Sequence, residues 1–376
     1  MLIEGNTDPR FAAVREAFAQ NFSDGLDSGA AAAVVLDGRL VVDLWGGHAD
    51  AARARPWRAD TLVNVWSVTK GVMAAAVAMA VERGKLAYDK PLAAVWPEFA
   101  ANGKEAISLE LAMSHRAGLN GLSAPLALAD LYQWDPYVNA LADMAPLWEP
   151  GSRFVYHALS YGHLWGEPLR RADGRRVGRL VAEDIAGPLE APFFIGLPER
   201  EEHRVAALIE GPKASDWVKD VLASPYPHSV KNPIVSATLP NERAWRAAEI
   251  PGGNGQSNAR ALAAIYGAMV GGAKRLVGPD TLAEAIRPRY IGPDAITGDP
   301  TAFAAGFRIL DPEFGPRASK QAFGHSGWGG AIAFADPEAK LAFAYVINHM
   351  LGFDDGIDPR RQRLVEAAYD AVANAS

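Results

Sequence analysis

Ser67 and Lys70 are a pair of side chains whose types and spacing could do chemistry together. They stand three residues apart, just before a run of small apolar residues from 72 to 80. The run predicts a helix over residues 67–83, on which residues three apart share one face. A serine hydroxyl and a lysine amine at that spacing could act as a nucleophile and its base. The alternative is that Ser67 caps the helix and Lys70 is a solvated residue of its first turn.

The position of the pair favours chemistry over capping. The strand-like residues 61–66 end at Ser67, so free backbone N–H groups and the positive end of the helix dipole would lie beside its hydroxyl. A capping serine is better followed by Glu or Gln three residues later, and a lysine there is unfavourable with the dipole. Lys70 can act as a base only when neutral, which requires a pocket that lowers its pKa. Ser-x-x-Lys alone is weak, since about one chance match is expected in such a chain.

Two further segments could complete such a site. Residues 150–158 read Pro-Gly-Ser-Arg-Phe-Val-Tyr-His-Ala, and they place Tyr156 between a Pro-Gly turn and a helix that is predicted to begin near Tyr161. Tyr156 is therefore a candidate second proton carrier. Residues 324–330 read Gly-His-Ser-Gly-Trp-Gly-Gly, a glycine-rich approach to a predicted strand, whose backbone could come close to a substrate.

In this order the three segments resemble the motifs of the serine β-lactamase and penicillin-binding protein superfamily. The branch they resemble most is the class C β-lactamase-like serine esterases, the family VIII carboxylesterases. In that pattern Ser67 to Lys70 is the Ser-x-x-Lys motif, Tyr156 is the tyrosine of Tyr-x-Asn, and His325-Ser326-Gly327 stands for Lys-Thr-Gly. The resemblance covers roughly residues 10–350 and includes three more segments, at 111–119, 187–189 and 251–253.

The resemblance implies a role for each of these residues. Ser67 would attack an ester carbonyl and become acylated, while Lys70 and Tyr156 share the proton in an order that the sequence leaves open. The backbone N–H groups of Ser67 and Trp328 would form the oxyanion hole. The residues expected to contact the substrate are His325, Ser326, Gly327 and Trp328.

Two departures from the class C β-lactamase pattern affect the predicted substrate. Ala158 stands where those enzymes have asparagine, and His325 where they have lysine. Both changes remove groups that the resemblance ties to β-lactam recognition and turnover, and Trp328 is bulkier than the residue usual there. We therefore predict hydrolysis of carboxylic esters with short acyl chains, and β-lactams as slow substrates or covalent ligands.

Other functions share parts of this pattern. A β-lactamase or D-Ala-D-Ala peptidase would use the same chemistry but would normally carry a signal peptide. A non-catalytic ligand-binding or sensor scaffold would retain the fold, although intact Ser67, Lys70 and Tyr156 argue against it. Residues 324–328 do not form a Gly-x-Ser-x-Gly elbow, because Trp328 occupies the last glycine position. His115 and His157 could be general bases, but single histidines are more often structural groups with hydrogen bonds.

Composition narrows the class of protein. The 376 residues include no cysteine and have a net charge of -7 without a basic block, which excludes thiolate chemistry and disfavours nucleic acid as a partner. No metal-ligand spacing occurs, so we predict neither metal nor cofactor. The first residues lack the basic and apolar regions of a signal peptide, and the longest apolar run is shorter than the roughly 20 residues that span a bilayer. We expect a cytoplasmic protein that acts on small molecules and not on membranes.

The elements that would position the site come from both chain ends. The sequence predicts a helix near residues 9–21, two strands over 31–47 joined by Asp37-Gly38, two more over 330–335 and 341–348, and a last helix over 358–375 capped by Asp358. A loop over 252–255 would precede a helix capped at Ser257. The predicted fold class is α+β of the β-lactamase/transpeptidase type, an antiparallel sheet flanked by helices. Residues 1–84 and 251–376 would form the α/β domain and residues 85–250 a mostly helical inserted domain, with the site between them.

Overall fold

A nine-stranded antiparallel sheet lies at the centre of the structure, a computed structural model that describes residues 2–354 and 356–373. The strands, in the order in which they lie side by side, are β1 (Ile3–Thr7), β3 (Arg39–Gly47), β2 (Gly29–Leu36), β13 (Leu341–Ile347), β12 (Ile332–Asp336), β11 (Phe323–Ser326), β10 (Arg308–Ile309), β9 (Pro300–Phe303) and β8 (Tyr290–Pro293). The two ends of the chain meet in the middle of the sheet, where β2 pairs with β13.

Two smaller sheets join distant segments. Strands β4 (Val63–Asn64) and β5 (Phe193–Phe194) pair on either side of β7 (Gln256–Ser257), and β6 (Ile209–Glu210) runs parallel to β14 (His349–Met350). The strand predicted over 61–66 is therefore correct for two residues only. It ends early because the backbone turns at Trp66 to start the next helix, and its pairing with β7 brings residues 251–255 beside Ser67.

The helices fill the middle of the chain and cover the sheet. They are α1 (Ala12–Ser23), α2 (Val68–Glu82), α3 (Leu109–Met113), α4 (Leu128–Leu131), α5 (Asp135–Asp143), α6 (Ser160–Asp173), α7 (Val177–Val181), α8 (Gly187–Leu189), α9 (Asp216–Ala223), α10 (His228–Lys231), α11 (Arg243–Ala247), α12 (Ala259–Val270), α13 (Pro279–Ile286) and α14 (Pro359–Ala373). Helix α12 packs on β2, β12 and β13, and α1 packs against α14. Within the described ranges, no helix has the length and apolar content needed to cross a bilayer.

Helix α2 is the buried element on which the site is built. It contacts α6, α12 and β11, and every residue from 68 to 80 is buried. Its alanine, valine and methionine side chains explain this placement, because burying each Val or Met contributes about 1.5–3 kcal/mol. Gly71 allows the close contact with α12, since a Cβ atom there would lie 1.8 Å from the Tyr266 hydroxyl.

The predicted α+β architecture and the terminal hairpins are confirmed. Asp37 and Gly38 both have positive φ, at 48° and 74°, as a two-residue turn between β2 and β3 requires. At the last helix, the Asp358 carboxylate accepts a hydrogen bond from the Arg360 backbone N–H at 3.0 Å, which caps α14 as predicted. The predicted residues 374 and 375 of that helix lie outside the described residues, and the division of the chain at 84 and 250 stays a prediction.

One local prediction is wrong. Helix α12 is capped by Asn258, whose side chain accepts from the Ala261 N–H at 2.9 Å, and not by Ser257. Ser257 belongs to β7, and its hydroxyl donates to the Pro192 carbonyl at 2.8 Å. The glycine-rich residues 324–330 lead into a strand, β12, as predicted, but they are not all loop. They contain the end of β11 and the turn to β12, so His325 and Ser326 are strand residues.

Candidate active site

Ser67 stands at the N-terminus of α2, but its hydroxyl caps nothing. The residue already has helical backbone angles, and its side chain makes no capping hydrogen bond. Its Oγ atom instead lies 2.9 Å from Lys70 Nζ and 2.9 Å from the Tyr156 hydroxyl. The structure therefore brings the three residues together around one oxygen atom, and a capping role for Ser67 does not account for its contacts.

A strained turn aims Ser67 into the cleft. Trp66 has a φ of 47°, a left-handed conformation that costs a non-glycine residue about 1–2 kcal/mol. Thr69 holds this turn, because its hydroxyl donates to the Trp66 carbonyl at 2.5 Å and accepts from the Gly255 N–H at 2.9 Å. Thr69 is thus a positioning residue that the sequence analysis missed, although it lies inside the Ser-x-x-Lys motif.

Lys70 is completely buried, and burial lowers its pKa well below the usual value. Besides Ser67 Oγ, its Nζ atom contacts the carbonyl oxygens of Ala158 at 2.9 Å and Gly252 at 2.6 Å. A neutral amine has two N–H donors and one lone pair. The two carbonyls take both donors, so the lone pair is left for the Ser67 proton.

The Gly252 carbonyl reaches Lys70 because two glycines meet behind it. Gly162, in the first turn of α6, has no side chain, and a Cβ atom there would lie 2.1 Å from the Gly252 nitrogen. Any larger residue at position 162 would push residues 251–253 away from α6. The close approach of these two segments therefore fixes one of the two acceptors that orient the Lys70 amine.

Tyr156 presents a protonated phenol to Ser67. Burial raises the pKa of Tyr156 to about 12, against the opposing effects of the Ser67 hydrogen bond and the Arg308 charge. Its hydroxyl therefore donates to Ser67 Oγ near neutral pH. The centroids of the Tyr156 and His115 rings are 4.6 Å apart, and Lys70 Nζ lies 5.1 Å from the Tyr156 ring centroid.

The two histidines weighed as general bases have structural contacts. The His157 ring accepts from the Leu119 N–H at 3.3 Å through Nε2 and donates to the Val155 carbonyl at 2.6 Å through Nδ1. Burial lowers the pKa of His157 to about 3. His115 accepts from the His157 N–H at 2.9 Å and stacks on Tyr161 with centroids 3.8 Å apart. Both rings therefore hold the backbone next to Tyr156.

The third segment forms the opposite wall of the site. His325 is buried, and its Nδ1 donates to the Ser326 carbonyl at 2.7 Å. Burial, reinforced by the charge of Arg308, lowers the pKa of His325 well below its usual range, so the ring is neutral. The Ser326 hydroxyl accepts from Arg308 Nη1 at 3.3 Å. Arg308 lies beside the predicted substrate-binding residues, and nothing in its two-residue strand indicated this in the sequence.

Trp328 is held by other tryptophans. Its ring centroid lies 4.7 Å from that of Trp66 and 5.2 Å from that of Trp217, and its indole N–H donates to the Ala214 carbonyl. Within the part of the chain that the structure describes, neither the Ser67 nor the Trp328 backbone N–H donates to another protein group. Both are therefore available to an oxygen atom placed between them.

These residues surround one cavity of about 750 Å³. The predicted site residues that line it are Ser67, Tyr156, Ser326, Gly327 and Trp328, while Lys70 and His325 lie behind its wall. Trp217 and Arg308, which the sequence analysis did not single out, also line it. Among residues 2–354 and 356–373, no three His, Asp or Glu side chains come together as metal ligands would.

Comparison with known proteins agrees with this geometry. The beta-lactamase family model matches residues 18–367. The esterase/beta-lactamase LipL of Mycobacterium tuberculosis is 35% identical over 92% of this chain and 83% of that protein. A crystal structure of a family VIII carboxylesterase is 41% identical with a TM-score of 0.91, over 99% of this chain and 100% of the other. A penicillin-binding protein homolog from Caulobacter crescentus is 42% identical with a TM-score of 0.88, over the same shares. The chain therefore belongs to the beta-lactamase family, and the predicted resemblance to the family VIII carboxylesterases is confirmed.

Proposed function

We propose that this chain hydrolyses carboxylic esters through an acyl-enzyme intermediate on Ser67. The observation that supports this most strongly is the position of Ser67 Oγ, 2.9 Å from both Lys70 Nζ and the Tyr156 hydroxyl. A nucleophile within hydrogen-bond reach of a base, with the base oriented by further groups, is the arrangement of covalent catalysis. The similarity to proteins named as an esterase/beta-lactamase and as a carboxylesterase supports the ester as substrate.

Lys70 takes the first proton in this proposal. Its pKa is lowered by burial and its two N–H donors are engaged by carbonyls, so its lone pair accepts the Ser67 proton as Oγ attacks the ester carbon. Tyr156 cannot be that base near neutral pH, because its phenol is still protonated. The sequence left the order of proton transfer open. The environments of Lys70 and Tyr156 are the reason for proposing that Lys70 accepts the proton first.

The backbone N–H groups of Ser67 and Trp328 hold the oxygen that becomes negative. Both residues line the cavity, and the helix dipole of α2 adds to their effect. Removal of one oxyanion donor typically lowers the rate by about 10²–10³-fold. The aromatic contacts of Trp328 support this assignment, since they fix the backbone that carries the donor.

Tyr156 then completes the cycle. When the tetrahedral intermediate collapses, the departing alkoxide takes a proton from the Tyr156 hydroxyl, which recovers one from the Lys70 ammonium. Water enters by the same route: it gives a proton to Lys70, attacks the acyl carbon and releases Ser67 with its proton restored. Every proton released is taken up again within the cycle, so the steps balance without a metal or a redox cofactor.

The side chains that line the cavity are an argument for a preference for small acyl groups and for slow reaction with β-lactams. Trp217 and Trp328 meet edge-to-face with ring planes at 90° and narrow the space beside Ser67, which favours acetyl to butyryl chains over long ones. A β-lactam carbonyl could reach the same serine and donors. Ala158 and a neutral His325 supply neither the amide nor the charge that would place the opened ring for release.

The test is the hydrolysis of p-nitrophenyl acetate and p-nitrophenyl butyrate, with dodecanoate as the long-chain comparison. Wild-type protein should release p-nitrophenol from the short esters faster than from dodecanoate, and Ser67→Ala should release none above background. Intact-protein mass spectrometry during turnover should find one acyl group, and digestion should map it to Ser67. Activity retained by Ser67→Ala, or an acyl group on another residue, would overturn the proposal.

A further inference from the structure

Arg308 is a cation that contacts the third motif. It stands in β10, and Nη1 lies 3.3 Å from the Ser326 hydroxyl. About a third of its side chain is exposed, and it lines both the main cavity and an adjoining cavity of about 300 Å³. Because His325 is neutral, Arg308 is the cation that a negatively charged substrate would meet beside Ser326.

The charge of Arg308 is already neutralised from behind. Asp311 pairs with its Nε atom, and the Asp311 side chain is only 2% exposed. Glu313, which lines the main cavity and hydrogen-bonds Ser326, lies close enough to affect Arg308 and pairs in turn with Arg361 at 2.8 Å. Burial alone would lower the pKa of Arg308, but these acids raise it. The Arg308 guanidinium therefore faces the cavity, whereas the Asp311 carboxylate that neutralises its charge does not line the cavity.

The other cations of the main cavity are also paired. Among the described residues that line it, the remaining ones are Lys213, Lys219 and Arg361. Lys213 pairs with Asp354, Lys219 with Asp216 at 2.7 Å, and Arg361 with Glu313. A carboxylate that enters the cavity would lose water without gaining an uncompensated positive charge, which is unfavourable.

We infer that Asp311 is a specificity-determining residue, which neutralises Arg308 and thereby restricts the cavity to uncharged esters. The inference rests on the proposed ester hydrolysis. Its consequence is that removing the Asp311 charge should admit substrates with a carboxylate near the reacting carbonyl. The Asp311→Asn variant removes this charge with little other change, because asparagine has nearly the same shape as aspartate. Its side-chain oxygen can still accept a hydrogen bond from the Glu313 N–H, whose nitrogen lies 2.9 Å from Asp311 Oδ1.

The experiment compares two p-nitrophenyl esters of the same acyl length, the hexanoate and the mono-adipate, of which only the second ends in a carboxylate. Wild-type protein should show kcat/KM at least tenfold higher for the hexanoate. In Asp311→Asn the ratio of adipate to hexanoate kcat/KM should rise about tenfold. Adding Arg308→Gln to that variant should abolish the gain, since the freed cation is then gone.

Asp24→Asn is the matched control, because it removes a carboxylate that is paired with Arg363 at 2.7 Å and does not line the cavity. Its ratio should equal that of wild type. Should Asp311→Asn fail to fold, Asp311→Ser removes the same charge with a residue that can also accept from the Glu313 N–H, and it should shift the ratio in the same direction. Equal wild-type rates on both esters would overturn the inference, as would an unchanged ratio in folded variants. Hydrolysis of neither ester by wild type would instead count against the proposed function.

Discussion

The reactivity of Ser67 depends on whether the amine beside it carries a proton. Lys70 has no carboxylate partner among the groups it contacts, which are two backbone carbonyls and the Ser67 hydroxyl. Carbonyl oxygens orient an amine but compensate its charge poorly, so the protonated form is disfavoured in a buried site. At this scale the site is a chain of hydrogen bonds that runs from Tyr156 through Ser67 to Lys70 and ends on the two carbonyls.

That chain predicts that its three side chains act as one unit. Ser67→Ala, Lys70→Ala and Tyr156→Phe should each lower kcat for p-nitrophenyl butyrate by about 10³-fold or more, and the double variants should lose little beyond the single ones. Circular dichroism should show that all variants remain folded. A Tyr156→Phe variant that keeps more than about a tenth of wild-type kcat, a loss of about 1.4 kcal/mol or less, would remove Tyr156 from the proton path.

The lowered pKa of Lys70 also predicts a dependence of stability on pH. The unfolded chain binds a proton at this lysine below about pH 10.4, whereas the folded chain releases it, so stability rises with pH between the two pKa values. Lys70→Met removes this dependence. The free energy of unfolding of the variant minus that of wild type should therefore fall as the pH rises from 8 to 10, by at most about 1.4 kcal/mol per unit.

Urea unfolding at several pH values measures this difference. Lys219→Met serves as the control, because its ion pair with Asp216 raises the pKa of Lys219 and its replacement should give a flat difference over the same range. A flat difference for Lys70→Met as well would mean that Lys70 is charged in the folded protein, and Lys70 could not then be the first base.

At the scale of the elements, the site depends on the fit between α2, α6 and residues 251–253. Helix α2 supplies Ser67 and Lys70, the segment before α6 supplies Tyr156 and the Ala158 carbonyl, and residues 251–253 supply the Gly252 carbonyl. The contact between Gly162 and Gly252 sets the distance between the segment before α6 and residues 251–253. The orientation of the Lys70 amine is thus a result of backbone packing.

This packing predicts that Gly162→Ala impairs catalysis without touching a catalytic side chain. The added methyl would lie 2.1 Å from the Gly252 nitrogen, so residues 251–253 must move, at a cost of about 1–3 kcal/mol in stability. With the Gly252 carbonyl displaced, kcat should fall at least tenfold while KM changes less.

Gly271→Ala is the matched control for that variant. Gly271 stands just after α12, has an extended φ of 173°, and a Cβ atom there would meet nothing within 4 Å. Its kcat and melting temperature should stay at wild-type values. Normal kcat in a folded Gly162→Ala variant would show that the Gly252 carbonyl does not orient Lys70.

At the scale of the whole molecule, the shape and charge of the cavity predict how β-lactams behave. The lactam carbonyl can acylate Ser67, but the opened ring keeps its amine tethered in a cavity whose cations are neutralised. Intact-protein mass spectrometry after incubation with a carbapenem should show an adduct that persists for minutes or longer. Absence of any adduct, or turnover as fast as that of short esters, would contradict the proposed slow release.

The features of the site that the sequence predicts are those that depend on residues close together in the chain. Each of the motifs that contain Ser67, Lys70 and Tyr156 is a short local segment, so their order along the chain indicated these residues and the fold class together. The carbonyls that orient Lys70 and the neutralisation of Arg308 depend on packing between segments far apart in the chain, and no spacing reveals them. The cap of α12 was missed for a similar reason, since Ser257 pairs in a strand with residues far away in the chain.

The pairing of β2 with β13 in the middle of the sheet has a consequence for synthesis on the ribosome. Residues 30–36 of β2 cannot pair with β13 until residues 341–347 have been synthesised. At the usual rates of translation this takes roughly 15–60 s, during which β2 presents an apolar strand with one unsatisfied edge. Contacts this distant along the chain also slow folding itself. The newly made hairpin of β2 and β3 is therefore open to pairing with other chains until β13 has been synthesised.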